Sequence, residues 1–286
     1  MRTYRTNEDD GTKRSVVLFD SFTDLIDHNL KKDYRSAHME DNGPSFYGVS
    51  NMKEADDLAR KGLPRDGVQA IKIAHHKVAQ VAGELHRDVY QDVYDVAGGY
   101  VDMGRYVSGE PECMVASEMI EEPGQNKIVA LIMNITYNCM ISAKAIKENG
   151  LAMMALVEAI ETQGMQAEIW VDMNVSGYGD VKYYARTAIK LKSAGQAFDV
   201  STFMYALTHA SFLRAHIFNA MHTHEADVRR ACGIHPRGGY GSCVNNAADM
   251  DDFPPYSIYI PCITRDAQAG QFVPMILKQL GLMQAS

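Results

Sequence analysis

The chain has 286 residues, with 28 Lys and Arg against 36 Asp and Glu, a net charge of −8 with the histidines neutral. At 46% hydrophobic and 22% charged it has a globular composition, and its length supports one large α/β domain or two smaller ones. The acidic balance argues against a dedicated nucleic-acid binder, whose phosphate contacts need clustered Lys and Arg.

The opening MRTYRTNEDDGTKR is polar and charged, so residues 1–14 read as a flexible N-terminus without the apolar run of a secretory signal. The most apolar stretch, Ile128 to Met133, is broken by Asn134, Thr136 and Asn138, well short of the roughly 18 residues of a membrane span. These features place the chain in a cytoplasm. The five cysteines, Cys113, Cys139, Cys232, Cys243 and Cys262, are odd in number and form no CxxC pair. They read as free thiols, with no zinc-ribbon spacing and no cofactor.

Ser15 to Phe19 reads as a short strand, and Ser21 then offers a capping hydroxyl to a helix carrying Phe22, Leu25, Ile26 and Leu30. Ser50 or Asn51 caps a second helix that Gly62 closes. Apolar residues at a three-to-four period from Gly67 to Arg87 indicate a long amphipathic helix. Val89 to Met114 alternates Val, Tyr, Gly and Asp, which suggests strand pieces and an ordered loop ending at Glu112, Cys113 and Met114. Lys127 to Met133 has the continuous apolar character of a strand buried on both faces. A helix from Ala143 to Gln163 stops at Gly164, and Gln166 to Val171 forms a strand ending in a polar loop, Asp172 to Asp180. Val181 to Ser193 reads as helical, as does Thr202 to about Ala220 behind Asp199 and Ser201. Beyond Gly233 the chain is irregular, apart from a strand Tyr256–Ile260 and a closing helix Gly270–Leu282.

Strands alternating with helices build an α/β, Rossmann-like, mainly parallel sheet flanked by helices, here with an N-terminal α+β extension. The expected organisation is a flexible 1–14, an α+β region 15–114, an α/β core 115–232 and an irregular region 233–286 packed on that core. Ligands of such sheets sit beyond the carboxyl ends of the strands, which directs attention to Asn134, Thr136, Asn138 and Asp172, together with Asp199.

Other groups could carry chemistry. His222, His224 and Glu225 offer zinc or iron ligands, but their i, i+2 spacing splits the rings across a helix, and a helix C-terminus explains two imidazoles equally well. Cys113 could suggest a nucleophile, but the carboxylates of Glu110 and Glu112 just before it oppose thiolate formation. Cys243 and His235 could pair only if folding brings them together. Gly238-Gly-Tyr-Gly lacks the Walker and dinucleotide patterns and reads as a surface turn. Arg229, Arg230 and Arg237 form a small basic patch, and the Tyr-rich stretches 90–106 and 178–184 suggest a contact surface.

Several segments resemble an uncharacterised family carried by tailed bacteriophages. They are Phe19 to Ile26, Phe46 to Ala55 with Leu58 to Gly62, Val101 to Tyr106, Gly109-Glu-Pro-Glu-Cys-Met114, and Thr208 to Arg214. The resemblance runs from about Phe19 to Gly241 and implies no activity. It does imply a phage-encoded protein acting in the cytoplasm of the infected host, or in the virion. A second likeness is to von Willebrand factor A-like domains, whose metal loop Asp-x-Ser-x-Ser follows the first core strand. The corresponding residues are Asn134-Ile-Thr136-Tyr-Asn138, with the spacing kept and the carboxylate absent.

These observations favour a non-enzymatic binding or assembly protein whose partner is a phage protein, a host protein or a second copy. A metal-dependent hydrolase or nucleotide-acting enzyme using the strand-end loops is the main alternative, and a virion structural component the second.

Overall fold

The computed structural model describes residues 1–35, 39, 43–65, 67–68, 72, 88–121, 127–177, 182–197, 199–237, 239–247, 250–280 and 282. Strands β1 (Arg2–Asn7) and β2 (Lys13–Phe19) are followed by helices α1 (Phe22–Lys31), α2 (Pro44–Tyr47) and α3 (Met52–Lys61). Next come β3 (Asp88–Asp95), β4 (Tyr100–Val101), α4 (Met103–Val107) and β5 (Met114–Glu121). Then follow β6 (Ile128–Asn134), α5 (Ala143–Thr162), β7 (Gln166–Ser176) and β8 (Tyr183–Lys192). The chain continues through α6 (Val200–Thr208), a π-helical turn (Phe212–Ile217), α7 (Phe218–Met221) and α8 (Ala226–Ala231). It finishes with β9 (Ser242–Cys243), β10 (Ile258–Ile260) and α9 (Phe272–Gln279).

The main sheet runs β1-β2-β8-β7-β6-β10, with β9 added to the end of β7. Three of the five ladders along that path are parallel: β2–β8, β6–β7 and β6–β10. The fold is therefore mixed α/β, with a mostly parallel central sheet flanked by helices. The β7–β8 step in the middle is antiparallel, so β2 and β8 run against β6, β7 and β10.

Alternation assigns the strand side chains to two different faces. Val17, Phe19, Leu131, Met133, Ile169, Val171, Val175 and Ile189 form one core with α1, α3, α5, α6, the π turn and α7 to α9. Val16, Leu18, Ile132, Trp170 and Ala188 form the opposite core, closed by Phe253 just after a 3-10 turn at Met250–Asp252. β3, β5 and β4 make a separate three-stranded sheet, the arm, whose strands pair, among the described residues, only with one another.

The caps agree with the sequence signals. Ser21 accepts a hydrogen bond from the Asp24 amide at the start of α1, and Asn51 accepts one from Glu54 at the start of α3. Ser142, which the sequence reading did not name, caps α5, and the expected stop Gly164, at φ +74°, turns the chain after it.

Four expectations need correction. Residues 1–14, read as flexible, supply edge strand β1 and the start of β2. Val181 to Ser193 is not a helix: from Tyr183 onward it is β8, the centre of the sheet. Its two faces are Tyr183, Ala185, Thr187 and Ile189 against Tyr184, Arg186, Ala188 and Lys190, and burial of both hides the alternation. β7 runs on to Ser176 rather than ending at Val171, because β8 pairs with it through Ser176. The helix read over Thr202–Ala220 starts at Val200 and breaks at His209, whose extended backbone (φ −103°, ψ 126°) ends α6 before the π turn. The helix expected over Gly67–Arg87 lies almost entirely outside the described residues.

Candidate functional site

β6 ends at Asn134, and the loop from there to Ser142 leads into α5. Asn134 shapes the loop with its own amide. Its Oδ1 accepts from the Thr136 N–H at 2.8 Å, and its Nδ2 donates to the Val244 carbonyl at 2.8 Å and the Tyr259 hydroxyl at 2.6 Å. The Thr136 hydroxyl accepts from the Asn174 amide on β7 at 3.1 Å, tying the loop to the neighbouring strand. Asn138 Oδ1 accepts from the Met140 amide at 3.0 Å and from the Cys139 thiol at 3.3 Å.

Beyond this loop lies a pocket of about 530 Å³. Thr136, Tyr137, Asn138 and Cys139 form its floor, and Met173 of β7 and Phe218 of α7 form its wall. Phe46 of α2 and the segment Gly239 to Cys243 close it. That segment is held by β9, which pairs Ser242 with Ser176 and Cys243 with Val175. Gly241 sits at φ +73°, where a Cβ would lie 2.7 Å from the Val175 Cβ. Only glycine brings the segment this close to β7.

The pocket wall is backed by a buried cation. Tyr240 stacks on Phe218 with centroids 3.8 Å apart and planes at 11°. The guanidinium of Arg35, 1% exposed, lies over the rings of Tyr47, Phe218 and Tyr240 and donates to the hydroxyls of Tyr47 and Tyr240. Burial pushes the Tyr240 hydroxyl up to about 12, so it remains protonated. Arg214 of the π turn covers Phe46 from behind, 4.5 Å from its centroid, and donates to the Phe46 carbonyl at 2.8 Å.

Three thiols surround the same floor. Cys243 donates to the Thr136 carbonyl at 2.9 Å and Cys262 to the same oxygen at 3.6 Å, while Cys139 lines the pocket. Burial of the sulfurs pushes both Cys243 and Cys262 upward, Cys262 to about 12. They are neutral donors rather than nucleophiles. Cys243 also lines a second, polar hollow of about 580 Å³ with Glu8, Asp10, Arg14 and Lys182, so β9 forms a thin partition between the two.

The strand-end argument thus brings Asn134, Thr136 and Asn138 into one loop, with Asp172 across the ladder from Asn134, but of the predicted residues only Thr136 and Asn138 line the pocket, and Asp199 lies elsewhere. Asp172 points to the opposite face of β7, fully buried, with Arg186 Nε 3.2 Å from its Oδ1. Burial pushes its carboxyl up to about 6, against the pull of Arg186. Asp252 joins this cluster, pairing with Arg186 and, at 2.7 Å, with Arg14, and accepting from the Tyr4 hydroxyl. Asp199 caps α6 through the Ser201 and Thr202 amides and lines a separate hollow of about 140 Å³.

The remaining candidates are dispersed. His224 is buried between the hydroxyls of Ser15 (2.8 Å) and Thr187 (2.9 Å), and burial lowers its pKa to about 3. His222 instead meets the Tyr240 hydroxyl at 3.1 Å, while Glu225 pairs with Arg5 on β1. Glu110 pairs with Arg105 at 3.4 Å, and Arg105 also donates to the Glu112 carbonyl, so Glu110, Glu112 and Cys113 belong to the arm. Among the described residues no three His, Cys, Asp or Glu side chains converge as a metal site.

The sequence reading missed Phe46, Cys139, Met173, Phe218 and Tyr240, and named Cys243 only as a partner for His235, whose ring instead accepts from the Arg237 amide. The loop containing Tyr240, read as a surface turn, in fact closes the pocket. Its two positive-φ glycines, Gly239 and Gly241, were the available signal, since such residues allow close backbone approach.

No helix among the described residues is long and apolar enough to cross a membrane. No curated protein and no solved structure matches the chain. Over residues 3–284 it matches the family model described as "Domain of unknown function (DUF7192)", and the chain belongs to that family.

Proposed function

We propose that the chain is a non-enzymatic binding protein and that the pocket at the end of β6 is its ligand site. One observation carries this reading. The pocket has the volume of a small-molecule site, and its lining residues, all described, offer aromatic faces, amides, hydroxyls and thiols but no carboxylate, imidazole or amine. Such a lining suits a neutral, partly apolar group with hydrogen-bonding capacity, either a small molecule or an inserted side chain of a partner. General acid–base or nucleophilic chemistry needs groups near their operating pH, and Cys243 and Cys262 are pushed the wrong way.

The resemblance of Gly109–Met114 and the other quoted segments to tailed-phage proteins supports a phage-encoded factor acting in the infected host cytoplasm or in the particle. Mass spectrometry of purified particles separates those two sites of action. The polar loop directly after β6 supports a von Willebrand factor A-like origin of the core, while the antiparallel β7–β8 step argues against it.

A set of neutral aromatic amides screened by saturation-transfer NMR tests the pocket, with N-ethylmaleimide reaction at Cys243 as the competing event. Binders should slow labelling of Cys243 and be lost in Tyr240→Ala. Binders that leave the labelling rate unchanged would remove the assignment. Turnover of a nucleotide or ester abolished by Cys243→Ala would replace it with an enzyme.

A further inference from the structure

We propose that the arm is a docking surface for an arginine-bearing segment of a partner protein. This site is separate from the pocket. Residues 88–121 contain eight acids (Asp88, Asp92, Asp95, Asp102, Glu110, Glu112, Glu118, Glu121) and one base, Arg105, a net charge of −7. The whole chain carries −8, so the remainder is close to neutral and the arm holds nearly all of the excess.

The arm is also where apolar and aromatic side chains face solvent. Tyr100 is 57% exposed, Met103 63%, Tyr106 62% and Val107 78%, and α4 buries none of its residues. An exposed apolar surface of this kind marks an interaction site. Its charge repels nucleic acid and anionic membranes and attracts a cationic segment.

The geometry narrows the cation to a guanidinium. Tyr94 of β3 and Tyr100 of β4 both lie opposite Val115 of β5, so the two rings flank one residue on the same face of the sheet. Each ring carries a carboxylate at its hydroxyl. Tyr94 donates to Asp102 at 3.0 Å and Tyr100 donates to Asp92 at 3.2 Å. Each unit therefore pairs an aromatic face with an acceptor, the two features a planar guanidinium engages together.

One of the two rings, Tyr94, already carries a guanidinium, whose ion-pair partner is Glu110 rather than the Asp102 at the ring hydroxyl. The guanidinium of Arg105 lies 3.8 Å from the Tyr94 centroid and pairs with Glu110. No cation among the described residues lies over Tyr100 or pairs with Asp92, whose other oxygen accepts from Ser117 at 2.8 Å. The chain's own arginine shows the occupant that Tyr100 and Asp92 are built to take from outside.

Isothermal titration calorimetry of the full chain with a nine-residue oligoarginine, and with oligolysine of the same length, tests this. Oligoarginine should bind with saturation and several-fold tighter than oligolysine. Tyr100→Ala should weaken it about fivefold and Asp92→Asn about threefold. Glu148→Gln, an equal charge change on α5, should leave it unaltered. Circular dichroism controls for folding, which truncation of an exposed ring should not disturb. Equal affinity for the two peptides, or no loss in Tyr100→Ala, would overturn the proposal. So would a dimer in size-exclusion chromatography that disappears in Tyr100→Ala, which would assign the face to a second copy. The Cys243 labelling experiment is independent of all these outcomes, so failure of one reading leaves the other standing.

Discussion

Asp172 and His224 are both buried, and they bias stability in opposite directions as pH changes. The Asp172 carboxyl titrates near 6 when folded against a reference of 3.8. Between those values the folded state holds a proton that the unfolded state has released, so stability falls as pH rises from about 4 to 6. That two-unit difference corresponds to about 3 kcal/mol. Because His224 acts in the opposite sense over the same range, urea unfolding at pH 4, 5, 6 and 7 should show this fall as the difference in stability between the parent chain and Asp172→Asn. His224 behaves conversely. Its folded pKa is depressed to about 3, by burial and then by the charges of Arg229 and His222. Below the reference of 6.5 the unfolded state gains a proton that the folded state refuses, so stability is lost as pH falls. His224→Ala leaves the hydroxyls of Ser15 and Thr187 without their buried partner and should cost about 2 kcal/mol or more near neutrality. The gap between variant and parent should narrow at pH 5, because the alanine chain no longer pays the protonation penalty. Denaturation midpoints at pH 5 and 7.5 check both statements.

Among the elements, legibility in the sequence depended on how each strand is buried. β6 was readable because both its faces are apolar, α1 and α3 because their capping side chains stand at the expected positions, and α5 because Gly164 marks its end. β8 was not, because it buries Arg186 and Thr187 as well as Ala185 and Ile189, and a buried arginine in a central strand breaks the pattern that reports an inward face. The same ion cluster explains why Asp172 was assigned to a loop. An acidic residue after six strand positions looks like a strand end until its partner, fourteen residues later, is seen across the ladder. The floor of the pocket could be anticipated from strand order, since Asn134 to Asn138 follow β6. Its far wall could not, because Tyr240 and Cys243 arrive from about a hundred residues away through the two-residue strand β9. That strand depends on Gly241. Gly241→Ala should strain a positive-φ position, press a methyl group into Val175 and detach β9. The expected cost is about 2 kcal/mol, read from the thermal midpoint, with faster N-ethylmaleimide labelling of Cys243.

For the whole molecule, the sheet faces two unlike coverings. Helices pack one side, while a short C-terminal segment centred on Phe253 closes the other. Phe253 is 6% exposed, meets Trp170 edge-on at 5.7 Å and lies under the guanidinium of Arg186, 5.1 Å from its centroid. Phe253→Ala should therefore destabilise the chain by about 3–5 kcal/mol, measured by urea denaturation, and admit water to the Asp172–Arg186 cluster. The Asp172 titration would then move back toward the ordinary carboxylate range. Trp170 is the only tryptophan in the chain, and it stands on this same side of β7, two residues from Asp172. Its fluorescence is thus a single-site gauge of the rear covering: it should respond to ionisation of that carboxyl near pH 6 and to loss of the Phe253 ring. Ligands entering the β6 pocket, on the other side of the sheet, will leave the emission spectrum largely unchanged.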